Sequence, residues 1–105
     1  MKLGIIISTK DPETAWNAYR LANFAAEEGD QVKVFLVGKG VESEVEHEKY
    51  NVKEQVSKFI AHGEIYACGT CLKSRQKEGS ETCPISSMKD LYQIIKESEK
   101  VINFG

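Results

Sequence analysis

The sequence predicts a three-layer α/β sandwich around a mostly parallel sheet of four to five strands. Three observations predict it. Lys2–Ser8 and Gln31–Val37 are apolar runs of strand length, a capped helix-period segment lies between them, and strand-like and helix-like segments keep alternating to the end. Strands covered on both faces read as continuous apolar runs, and alternation of this kind brings right-handed crossovers between parallel strands. The chain has 105 residues, 41% hydrophobic and 29% charged, with no repeat, low-complexity tract or linker, so a single domain spanning 1–105 is expected.

Each element follows from local chemistry. Lys2–Ser8 is isoleucine-rich and too short for a core helix. Asp11 is placed to cap a helix that starts at Pro12, where a missing N–H is harmless. Ala18, Leu21, Ala22 and Ala25 then recur at helical spacing until Gly29. Gln31–Val37 completes a βαβ unit, and Gly38-Lys39-Gly40 follows as a turn. Glu42–Glu48 reads as a solvated acidic segment. Asn51 with Glu54 forms a capping-box-like start for a helix bearing Val52, Val56, Phe59 and Ile60, closed by Gly63. Glu64–Ala67 is a third strand, and Thr70 through Leu72 to Arg75 reads as a short helix. Ser87 with Asp90 starts another helix carrying Met88, Leu91, Ile94 and Ile95, and Lys100–Phe104 is the last strand.

Charge excludes some functions. Fourteen Lys and Arg against 16 Asp and Glu give a net charge of -2, so the basic footprint of a nucleic-acid binder is missing. No apolar run approaches the ~20 residues of a membrane helix. The opening Met1–Ile7 is too short, and too soon followed by Asp11-Pro12, for a signal peptide. A cytoplasmic protein is expected. Three cysteines, an odd number, are in a reducing compartment more often catalytic, redox-active or metal-binding than structural.

Sites in open α/β sheets form at the carboxyl ends of strands. Those ends are Ser8-Thr9, Gly38-Lys39-Gly40 and Cys68-Gly69-Thr70-Cys71, and a first strand lying between the second and third would put Ser8 and Thr9 beside Cys68. Cys68 follows a strand and precedes a helix, where free N–H groups and the helix dipole favour a thiolate. Gly69 permits the tight turn, and Lys73 and Arg75 add positive charge that would attract an anionic sulfur species. Ser8, Thr9, Gly38, Gly69, Thr70 and Arg75 are accordingly the candidate substrate-binding residues. The competing reading of Cys68 is a small buried hydrophobe.

Cys71 completes a Cys-x-x-Cys, whose spacing permits a reversible disulfide. A thioredoxin would carry this motif after its first strand rather than its third, with a later cis-proline; here the downstream proline is Pro84, next to Cys83. His62, Cys68, Cys71 and Cys83 number four possible metal ligands, but only one close-spaced pair exists, so neither a metal nor another cofactor is expected. His47 lies in the acidic segment and reads as solvated. Gly38-Lys39-Gly40 lacks the third glycine and first-strand position of a dinucleotide loop. Trp16, Tyr19 and Phe24 exceed what one narrow helix face can bury, which favours self-association.

Several segments together resemble the DsrE/DsrF-like (TusD-like) sulfur-relay family, in its small single-domain form. They are Gly4-Ile5-Ile6-Ile7-Ser8-Thr9-Lys10-Asp11-Pro12-Glu13, Ala15-Trp16-Asn17, Leu21-Ala22-Asn23, Val34–Val41, Cys68-Gly69-Thr70-Cys71 with Arg75, and Cys83-Pro84-Ile85-Ser86-Ser87-Met88. The resemblance implies a flavodoxin-like fold, homo-oligomers such as trimers or hexamers, and a cysteine that carries sulfane sulfur as a persulfide between donor and acceptor proteins. That cysteine falls on Cys68, after a strand and seven residues before Arg75. Cys71 and Cys83 lie outside the relay members' minimal pattern and are candidates to attack a Cys68 persulfide. The alternative reading is a non-enzymatic oligomeric module or a cysteine-based redox or metal sensor.

Overall fold

A computed structural model of the chain describes residues 1–74 and 85–105, without the side chains of Cys71, Lys73 and Ser74. In chain order the elements are β1 (Lys2–Ile7), α1 (Pro12–Glu27), β2 (Gln31–Leu36), a 3-10 helix (Gly38–Glu42) and α2 (Val52–Phe59). Then follow β3 (Glu64–Cys68), α3 (Gly69–Ser74), β4 (Ile85–Ser86), α4 (Met88–Glu97) and β5 (Lys100–Phe104). Among the described residues the five strands form one sheet in the order β4-β3-β2-β1-β5, and every pairing is parallel. This is the α/β arrangement that the alternating pattern predicts, and it is flavodoxin-like, as the family resemblance implies.

The caps work as the residue types require. The Asp11 carboxylate accepts from the Thr14 N–H at 2.9 Å, with Pro12 at the first helical position. Asn51 accepts from the Glu54 N–H at 3.3 Å, and Ser87 and Asp90 close a reciprocal capping box on α4. β4, two residues long, and the 3-10 helix are elements that the sequence does not announce.

Alternate residues of the strands build two cores of unequal size. Leu3, Ile5 and Ile7 of β1, Val32, Val34 and Leu36 of β2, and Ile65 and Ala67 of β3 pack with α1, α2 and Leu72 of α3 into the larger core. On the other face Phe35, Cys68 and Ile94 form a small buried cluster, edged by Val37, Tyr66 and Leu91. That face is covered by α4. Met88, Tyr92 and Ile95 remain exposed on α4, as do Val101 and Ile102 on β5.

The aromatic residues of α1 are distributed otherwise than their spacing suggests. Tyr19 is fully buried in the larger core against Phe59. Trp16 is half-buried, under the Arg20 guanidinium at 4.4 Å and beside Tyr50. Of the three, only Phe24 is exposed. The surplus of apolar surface therefore lies less on α1 than on α4 and β5.

Candidate functional site

The site is built at the carboxyl end of β3. Pleating sends Ile65 and Ala67 toward α1 and α2 and leaves Tyr66 and Cys68 facing α4. Cys68 is the last residue of the strand and Gly69 the first of α3, so the predicted junction of strand end and helix start is present. Cys68 is 4% exposed and packs against Phe35 and Ile94. Cys68 thus stands at the strand–helix junction and is at the same time a small buried residue, whose apolar shell withholds it from solvent.

Gly69 serves a close approach. A Cβ there would lie 2.9 Å from Ile85 Cγ2 and 3.3 Å from the Ser86 carbonyl oxygen. Its absence lets β4 pair beside Cys68, in register with Ser86. Thr70 is exposed on the first turn of α3. Arg75, Cys83 and the Cys71 side chain, also predicted at the site, lie outside the described residues.

The strand order corrects one expectation. β2, not β1, stands between its two neighbours β1 and β3, so Ser8 and Thr9 are two strand spacings, about 10 Å, from the line of β3. The reversal of strand order falls between β1 and β5. There the Ser8 N–H donates to the Phe104 carbonyl at 3.0 Å, and its hydroxyl lies 3.4 Å from both the Phe104 and Gly105 carbonyl oxygens. Thr9 Oγ1 accepts from the Asp11 N–H at 3.0 Å. These hydroxyls fasten the chain's last strand and the entry to α1 rather than lining a pocket with Cys68.

The space between the ends of β1 and β3 is occupied by the 3-10 helix, which touches β2, β3 and α3. Gly38 opens it with φ +57°, a left-handed conformation that glycine adopts without a steric penalty. Gly40 is buried on the end of β1: a Cβ would fall 2.7 Å from the Ile7 carbonyl carbon and 3.3 Å from Ser8 Cα. The buried Ser43 hydroxyl donates to the Gly40 carbonyl at 2.6 Å and closes the turn. Gly38 therefore acts on backbone shape.

The walls of the cysteine site carry no motif of their own in the sequence. Phe35 is its floor, and the signal for it was period-two alternation in β2, which turns Lys33, Phe35 and Val37 away from the face of Val34 and Leu36. Lys33 and Glu97 form an ion pair at 2.5 Å that ties β2 to the end of α4, and it holds the Glu97 carboxyl below its ordinary range. Tyr66 shares the face of Cys68. Burial, and then its hydrogen bond to Glu64, push its phenol up to about 12, so it stays protonated at neutral pH. His62 precedes β3, whereas Cys68 ends it, so the strand alone separates them by on the order of 13 Å. A common metal site for the two is ruled out. Among the described residues, no three His, Cys, Asp or Glu converge as a metal ion would require.

Comparison with known proteins agrees with the fold. The sequence model of the DsrE/DsrF-like family matches residues 1–104. An uncharacterized protein of Methanopyrus kandleri is 36% identical over 100 residues, covering 88% of this chain and 83% of its own length. One from Methanocaldococcus jannaschii is 33% identical over 115 residues, covering 99% and 100%. The crystal structure of the ychN protein from E. coli superposes with a TM-score of 0.84 at 22% identity, covering 99% of this chain and all of that one. A conserved protein of unknown function from Bacteroides thetaiotaomicron gives 0.78 at 18% identity, covering 98% and 94%. The chain belongs to the DsrE/DsrF-like family, and membership points to a role related to sulfur relay. No described helix is long and apolar enough to cross a membrane.

Proposed function

We propose that the protein is a cytoplasmic sulfur carrier in which Cys68 holds sulfane sulfur as a persulfide. The observation that carries this reading is the coincidence of a family match over nearly the whole chain with a cysteine at the carboxyl edge of the sheet, directly before α3. In the loading step the Cys68 thiolate attacks the outer sulfur of a donor persulfide. The donor's S–S bond breaks, its electron pair leaves with the donor thiolate, and a Cys68 persulfide forms.

Delivery runs the same exchange in reverse: an acceptor thiolate attacks the outer sulfur, and Cys68 leaves as thiolate. Alternatively Cys71 or Cys83 attacks the inner sulfur, giving a disulfide with Cys68 and expelling hydrosulfide. Two thiol sulfurs are then oxidised, one sulfane sulfur is reduced, and a dithiol reductant must reset the pair. Cys71, one helical turn away, is the nearer resolving thiol in sequence. Homo-oligomers, trimers or hexamers, complete the proposal. They are supported by the exposed Met88, Tyr92 and Ile95 on α4 with Val101 and Ile102 on the edge strand β5.

The test is incubation with a polysulfide donor followed by mass spectrometry without reductant. Cys68→Ser should abolish loading, Cys71→Ser should load but release sulfide slowly, and Cys83→Ser should have the smallest effect. Normal loading in Cys68→Ser refutes the proposal.

A further inference from the structure

Cys68 reacts only if something uncovers it, because the residue is 4% exposed, packed with Ile94 and Phe35. The element above it is attached sparingly. Within one subunit, Ile94 alone of α4's apolar residues is buried and Leu91 half-buried, while Met88, Tyr92 and Ile95 pack against no core of that subunit and are exposed. Among the described residues, α4 is further tied by the Lys33–Glu97 ion pair, by contact with β4 and by a close seat on β1. A Cβ at Gly4 would lie 3.2 Å from Ile94 Cγ2 and 2.9 Å from Ser98 Oγ, so the missing side chain lets α4 settle. The opposite face, by contrast, is sealed by two helices around fully buried Ile5, Ile7, Val34, Val52 and Phe59.

We propose that α4 is a movable cover over Cys68, whose opening, set by Gly4, Ile94 and the Lys33–Glu97 pair, admits a sulfane-sulfur donor or a thiol acceptor. This deepens the sulfur-carrier reading and takes Cys68 as its reacting group. Regions joined by few buried apolar contacts open with the smallest free energy, and a closed cover keeps a loaded persulfide from adventitious thiols. A thiol in such a place reacts at a rate proportional to the open fraction. Anything that strains the closed state and is relieved in the open one raises that rate.

The experiment is alkylation of Cys68 by iodoacetamide in a Cys71→Ser, Cys83→Ser background, at one protein concentration so that any association is held constant. Gly4→Ala inserts a methyl under α4 without a backbone penalty, and Gly4→Val inserts more; rates should rise in that order, to about tenfold for Val. Glu97→Gln should raise the rate by about twofold to fivefold and flatten its dependence on salt. Val56→Ala, which loosens α2 in the opposite core, is the control: at a matched loss of thermal stability it should leave the rate near that of the parent.

Equal acceleration by Val56→Ala would assign access to global unfolding and overturn the cover. So would Gly4 and Glu97 variants that fold and alkylate at the parent rate. Measured alongside, persulfide formation separates the two proposals. Faster alkylation without any Cys68 persulfide keeps the cover and sinks the sulfur carrier, whereas normal loading with unchanged alkylation does the reverse.

Discussion

Replacing Gly40 by alanine should damage this protein more than replacing Gly38, although Gly38 has the positive φ. At Gly38 a Cβ meets nothing within 4 Å, so the cost is confined to the left-handed backbone at φ +57°, about 1 kcal/mol. At Gly40 the Cβ would sit 2.7 Å from the Ile7 carbonyl carbon and 3.3 Å from Ser8 Cα. Those are backbone atoms of β1 and its exit, which cannot swing aside as a side chain can. The 3-10 helix must lift off the sheet edge, with its Ser43–Gly40 hydrogen bond and the buried Val41. Overpacking of this kind costs about 3 kcal/mol, the upper part of the usual range. At about 4–8 °C per kcal/mol for a domain of this size, Gly40→Ala should lower the melting temperature by roughly 12–24 °C and Gly38→Ala by roughly 4–8 °C. Thermal and urea unfolding followed by circular dichroism measure both. A Gly40→Ala protein as stable as Gly38→Ala would refute the close seating of this turn on β1.

Three further outcomes are expected. Asp11, Asp90 and Glu97 have carboxyls held below their ordinary values, by the Thr14 N–H, the Ser87 N–H and the Lys33 ammonium respectively. A depressed folded-state value means stability that is present above the unfolded carboxylate range and lost as pH falls through the folded values. Melting temperature should therefore drop through that range, and less steeply in Asp90→Asn; an unaltered slope in that variant would contradict the assignment. Asn23, buried in α1, donates to the Gln55 carbonyl and side-chain oxygens at 3.1 Å, so Asn23→Ala should lower the urea midpoint by about 1 kcal/mol equivalent, and an unshifted midpoint would show that these bonds contribute nothing. Light scattering at micromolar concentration should give an oligomer that Tyr92→Glu dissociates; a monomeric parent protein would remove the proposed role of α4 and β5 in association.

What the sequence made legible was local. Asp11-Pro12, Asn51 with Glu54, and Ser87 with Asp90 each mark a helix start within the reach of one turn, and all three caps are realised. Cys68 at the seam of β3 and α3 was equally visible, since a strand and a helix start are both short-range patterns. Strand order was not, because it depends on which way each crossover turns over the sheet, a choice that leaves no mark in residue spacing. That is why Ser8 and Thr9 seemed partners of Cys68 when β2 separates them. A buried Cys68 is one of the two readings its position allows, but that Ile94 covers it is not legible: the two residues are 26 positions apart, and only the return of the chain across the sheet by α4 joins them. Trp16 and Tyr19 misled through composition, because a helix packed on a sheet and beside a second helix buries a wider arc than a single contact face.

The most direct measurement is the mass of each cysteine-containing peptide after brief exposure to polysulfide under non-reducing conditions, for the parent chain and Cys68→Ser. One added sulfur, 32 Da by chemistry alone, on the peptide containing Cys68 and none in the variant is the expected result. Sulfur absent from Cys68 in the parent chain, or retained at full level elsewhere when Cys68 is serine, would contradict the assignment of Cys68 as the sulfur-carrying residue.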